Sequence, residues 1–60
     1  PHPDAYAVED NVGFYLETLG PKKKIIAKDE NMNILSDVGW GFTATTETLI
    51  EEAKYNAGLT

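Results

Sequence analysis

The chain has no cysteine, no arginine and only one histidine. Without cysteine there are no disulfides to staple a small fold. A structural zinc site is nearly excluded as well, because His2 is the only side chain left of the usual nitrogen and sulfur ligands. The absence of cysteine suits a reducing compartment. No apolar run approaches the roughly 20 residues that cross a bilayer. The opening Pro1-His2-Pro3-Asp4 has no charged stretch followed by an apolar one, so it does not read as a signal peptide. The expectation is a cytoplasmic protein with no membrane partner. Missing arginine removes the side chain best shaped for bidentate phosphate and guanine contacts. With a net charge of −5 and a pI near 4.5, nucleic acid is a poor match, since its affinity comes mainly from neutralised phosphates.

What is present is a chain of 60 residues, 42% of them hydrophobic, which is enough for one small core in a single domain over residues 1–60. A chain of this size buries only about 60% of the surface its unfolded form exposes. With the covalent staples gone, very good packing or association with another chain must carry the fold.

Residues 36–42 read Ser-Asp-Val-Gly-Trp-Gly-Phe. At strand spacing Val38, Trp40 and Phe42 share one face, while Asp37, Gly39, Gly41 and Thr43 share the other. This predicts an apolar wall with Trp40 as the core anchor, backed by a nearly bare glycine face open to another chain. Residues 34–42 and Lys22–Lys28 then form a hairpin across the turn formers Asp29, Glu30, Asn31, Met32 and Asn33. Asn31 or Asn33 is expected to take any positive φ there. The register stays open, and with it whether Ile25 or Ile26 faces the core. Lys24 and Asp37 make a cross-strand ion pair in one register only.

Ala5, Val8, Val12, Tyr15, Leu16 and Leu19 recur at helical spacing, with Asp4 as N-cap and Gly20-Pro21 as a stop signal. These predict a helix over residues 5–19, with Gly13 as its weak point. A second helix is predicted over Thr46–Asn56, capped by Thr43, Thr45 or Thr46 and ended by Gly58. The fold class expected is α+β: helix, β-hairpin, helix (αββα), in two layers, with both helices on one face of the antiparallel hairpin.

Residues 20–60 resemble the C-terminal half of a thioredoxin-like domain. Leu19-Gly20-Pro21 precedes Ile25-Ile26-Ala27, the turn at residues 29–33 leads into Ile34-Leu35, and Val38-Gly39 precedes the helix with Glu47 to Glu52. The resemblance implies a hairpin followed by a final helix. It implies no redox activity, because no Cys-x-x-Cys is present.

The chemistry-bearing residues are few. Pro1, as a free amine of low pKa, is the base a tautomerase-like enzyme uses, but that chemistry needs cationic groups for the substrate carboxylate and there is no arginine. His2 lacks neighbours that would complete a metal site and reads as a solvated terminal side chain. Glu47 and Glu51 share a helix face, which reads as a solvated, dipole-complementing surface. The Asp29 to Asn33 segment lacks the spacing of a calcium loop. No catalytic residue, metal or cofactor is assigned. Candidate partner contacts are Lys22, Lys23 and Lys24, with Gly39 and Gly41. The leading functional expectation is a non-enzymatic acidic protein-binding module (a subunit, adaptor or inhibitor), with a homodimer through strand pairing as one partner arrangement. The alternatives are the Pro1 enzyme and an anion or nucleic-acid contact through the three lysines.

Overall fold

Asp10 and Asn11 reverse the chain where the apolar stripe predicts a continuous helix. In the computed structural model, which describes residues 2–37, 40–41 and 45–59, both hold positive φ, at 52° and 65°. Two consecutive left-handed residues make the type I′ turn that matches the twist of a hairpin. They set Glu9 opposite Val12 and define β1 (Ala7–Glu9) and β2 (Val12–Leu19). Gly20, at φ 60°, opens a second two-residue turn with Pro21 and brings β3 (Lys22–Lys28) back along β2. β4 (Ile34–Asp37) follows, so the sheet is an antiparallel meander in the order β1-β2-β3-β4. α1 (Thr46–Asn56) is the one helix among the described residues.

The expected αββα arrangement is therefore wrong, and the fold is ββββα. Residues 5–19 fit two periods at once. Val12, Phe14 and Leu16 alternate with Gly13, Tyr15 and Glu17 as a strand does, while the wider stripe fits a helix. An internal glycine and several aromatic and β-branched residues weigh against the helix. Gly20-Pro21, read as a helix stop, is a hairpin turn with glycine at its positive-φ position. Asp4 caps nothing, since it lies in the turn before β1 at φ 65°.

Period-2 alternation puts Ala7, Val12, Phe14, Leu16, Ile25 and Ala27 under α1. Phe14 and Ile25 are the largest fully buried side chains, at 0% and 1% exposure. Leu49 and Ala53, one helical turn apart, complete the core, with Ile50, Ala57 and Leu59 at its margin. Ala27 on β3 and Ala53 on α1 are both fully buried in the one core cluster, where small side chains leave room for close helix–sheet packing.

α1 runs over the residues its spacing predicts. Of the three candidate caps Thr45 is the one used, its Oγ1 accepting the Thr48 N–H at 3.2 Å. At the other end Leu59 N–H donates to Lys54 O at 2.9 Å and Gly58 N–H to Tyr55 O at 3.2 Å. With Gly58 at φ 83°, this is the paired-bond glycine termination that folds Leu59 back onto the core.

Trp40 is not the core anchor. It is 39% exposed and lies against Lys24 on the side of the sheet away from α1, the side opposite to that of the bridge partners Lys23 and Gly41. Val38, Gly39, Phe42 and Thr43 lie outside the described residues, as does Pro1. The hairpin register buries both isoleucines, on opposite faces: Ile25 under the helix and Ile26, 8% exposed, on the other side.

Candidate functional site

Among the described residues the sheet has one face covered by α1 and one with no helix on it. Side chains on the helix-free face follow from the register. Val8, Gly13 and Lys28 form one row, which Ile34 joins through a register shift between Ala27 and Lys28 that sets it opposite Lys28; Tyr15, Ile26 and Asp37 form the next, and Glu17 and Lys24 the third. Lys22, opposite Leu19, has the same parity at the end of β3. Ile26 is the buried centre of this face, and Ile34 is 58% exposed at its edge.

Two lysines are held by aromatic rings. Lys24 Nζ lies 4.8 Å from the Trp40 ring centroid and 3.4 Å from Asp37 Oδ1. Asp37 sits opposite Ile26 rather than Lys24, so the expected pair forms on the diagonal of the ladder. Lys28 Nζ lies 4.9 Å from the Tyr15 ring centroid. Both ammonium groups thus stand over aromatic faces, the geometry of a cation–π contact.

Gly13 leaves a gap in the middle strand, and His2 fills it. A Cβ on Gly13 would stand 2.5 Å from His2 Nδ1 and 3.0 Å from Tyr15 Cε1, so only glycine admits the imidazole there. His2 is buried, not solvated as expected. Its Nε2 is 2.8 Å from Asn11 O, and its Nδ1 is 3.2 Å from Tyr15 Oη. The Tyr15 hydroxyl also reaches Met32 Sδ at 3.6 Å. Tyr15 is thus half-buried on the helix-free face and lies outside the core that helical spacing assigned it to.

Met32 is brought there by the β3–β4 loop. It, and neither neighbouring asparagine, takes the positive φ, at 67°. Met32 N–H donates to Asp29 O at 2.9 Å, and Asp29 N–H to Asn33 O at 2.9 Å. The Asp29 carboxylate accepts from the Asn31 and Asn33 backbone N–H groups, each at 2.9 Å. These bonds, that from Asn33 first, hold its pKa below the ordinary carboxylate range. Oδ1 thus serves the loop's own backbone, and Oδ2 accepts from the Asn33 side-chain amide at 3.5 Å.

Of the sequence-derived contacts, Lys22 and Lys24 lie on the helix-free face, whereas Lys23, opposite Thr18, points to the helix side. Gly41 pairs with Lys23 through two 3.0 Å backbone bonds, and among the described residues nothing lies within 4 Å of where its Cβ would be. Gly39 lies outside the described residues. The His2, Gly13, Tyr15 and Met32 group was missed from the sequence. The readable signal was the alternation that sets Gly13 beside Tyr15 on one side of a strand.

Among the described residues there is no cavity and no group of three acids or histidines able to hold a metal. No described helix is long and apolar enough to cross a membrane. Comparison with protein-family models, with curated proteins and with solved structures finds no match to this chain.

Proposed function

We propose that the chain is a non-enzymatic protein-binding module that docks an acidic polypeptide on the helix-free face of its sheet. The observation that carries this is the composition of that face: Trp40, Val8 and Ile34 are exposed around Ile26, and Lys22, Lys24 and Lys28 stand among them. Exposed apolar surface edged by charge is the usual character of a contact surface, and tryptophan is enriched among the residues that dominate binding. Glu17 and Asp37 share this face, Asp37 paired with Lys24, but most of the chain's carboxylates lie elsewhere. Glu47, Glu51 and Glu52 are exposed on α1, and Asp4, Asp10 and Glu30 on turns. A partner offering aliphatic side chains flanked by carboxylates meets three lysines against two carboxylates here, and mostly like charge on α1 and the turns. Phosphate is the weaker anion for this face, given the net charge of −5 and the absence of arginine.

Panning a random peptide display library on the protein tests this reading. Enriched sequences should combine acids with aliphatic or aromatic residues and should lose binding to Trp40→Ala and Lys24→Ala. Trp40 is the only tryptophan, so its fluorescence should respond to the same peptides and stay silent with oligo(dT). Enriched peptides indifferent to both substitutions, or a response to oligo(dT) alone, would sink it.

A second reading is favoured by the outer edge of β4, where Ile34 and Leu35 are exposed; β1 at the other edge is three residues long and ends in Glu9-Asp10. A bare hairpin no longer motivates self-association, since β2 occupies the far side of β3. An apolar edge strand does, through two-fold pairing of β4 with its copy. Sedimentation showing a monomer at high concentration removes this reading.

A further inference from the structure

We propose that His2, Tyr15 and Met32 form a proton-operated latch that ties the β3–β4 loop to the centre of the helix-free face. The argument is a count of protons. Asn11 O can only accept, so His2 Nε2 carries a hydrogen in either charge state. In the neutral ring Nδ1 is then a bare acceptor, and the Tyr15 hydroxyl must turn its one proton toward it. Met32 Sδ, 3.6 Å from the same oxygen, is left without a donor.

In the imidazolium, Nδ1–H donates to Tyr15 Oη, and the phenolic proton is released to Met32 Sδ. The same heavy-atom positions therefore support two hydrogen bonds when His2 is neutral and three when it is charged. The third bond reaches a residue held in the left-handed region without being glycine, a conformation that persists only where its surroundings enforce it. The imidazole is the side chain whose ordinary titration falls between about pH 5 and 8. The groups that face this chain are Tyr15 from β2, the Asn11 carbonyl from the β1–β2 turn, Lys28 over the Tyr15 ring from β3, and Asp29 from the loop.

The latch fastens on acidification, when Met32 Sδ gains a donor beside Tyr15 and Lys28. Its effect on docking rests on the reading of this face given above; the latch itself does not, and it is tested on the free protein. In a pH titration by NMR, the Met32 methyl signal should shift with the same midpoint as the His2 ring protons. In Tyr15→Phe, His2 should still titrate while the Met32 shift is lost. The neutral His2 ring of the unsubstituted protein should be the Nε2–H tautomer by its nitrogen shifts, a readout needing no variant. A Met32 methyl that stays flat through the His2 titration, an unaltered Met32 titration in Tyr15→Phe, or an Nδ1–H tautomer would each overturn the latch. Failure here leaves the peptide-selection result untouched, so the two readings stand or fall separately.

Discussion

Alternate residues of the same strands build the two faces of this sheet, yet the faces follow different rules. Under α1 the side chains are Val12, Phe14, Ile25 and Ala27, and they are closed over by Leu49 and Ala53. On the other side Ile26 is the one buried hydrophobic among the described residues, and around it stand His2, Tyr15, Lys24, Lys28, Trp40 and Asp37, with Val8 and Ile34 exposed. The first face is held by area removed from water, the term that dominates folding. The second is held by hydrogen bonds and cation–π contacts, each worth about 1 kcal/mol at exposed sites. Stability should therefore sit on one side of the sheet and recognition on the other.

Phe14→Ala tests that division hardest. Emptying a fully buried ring costs about 3–5 kcal/mol, a large part of what a domain this small can hold. Urea unfolding should show it largely or wholly unfolded, whereas Trp40→Ala should move the midpoint by no more than about 1 kcal/mol. Equal losses from both would erase the distinction between the faces. Gly13→Ala comes next. The new methyl collides with the His2 ring, and overpacking of this kind costs about 1–3 kcal/mol. NMR should show His2 displaced and the Phe14 environment unchanged; a shifted core would mean the two faces are mechanically linked.

Thr45→Ala probes the covered side through its helix. Loss of the cap should cost about 1 kcal/mol, read as a lower thermal midpoint, with Trp40 fluorescence unaltered below the transition. The smallest effect belongs to the open side's loop. Asp29 has a lowered pKa in the folded chain, so its carboxylate contributes stability above the ordinary carboxylate range. That contribution is lost as pH falls through the folded value. Between about pH 5 and pH 2, Asp29→Asn should show a slightly shallower loss of stability than the unsubstituted protein. Identical acid profiles would place the loop's order elsewhere.

The covered side was more legible in the sequence than the open one, and the C-terminal half more than the N-terminal. α1 could be placed because its apolar spacing, its threonine caps and Gly58 all point the same way. The β3–β4 hairpin could be placed because β-branched runs flank a cluster of turn formers. Residues 5–19 misled because one stripe fits both periods, and the arbiter is the turn at Asp10-Asn11, whose preference for positive φ is weaker than that of glycine. Trp40 misled because a large apolar side chain at strand spacing fits a core face, whereas here it stands beside Lys24 on the helix-free face. The His2 contact was out of reach for a different reason. It depends on a neighbour eleven residues away along the chain lacking a side chain, which becomes visible only once the first hairpin is known.

Each strand of this sheet hydrogen-bonds only to the ones before and after it in the chain, and the first two reversals take just two residues apiece. Such a ladder can zip from either hairpin with little loop entropy to overcome before native contacts form. The helix arrives last in the sequence and closes over a sheet whose neighbours have already met. Refolding should accordingly be quick for a β-rich chain, with the docking of α1 as its final event.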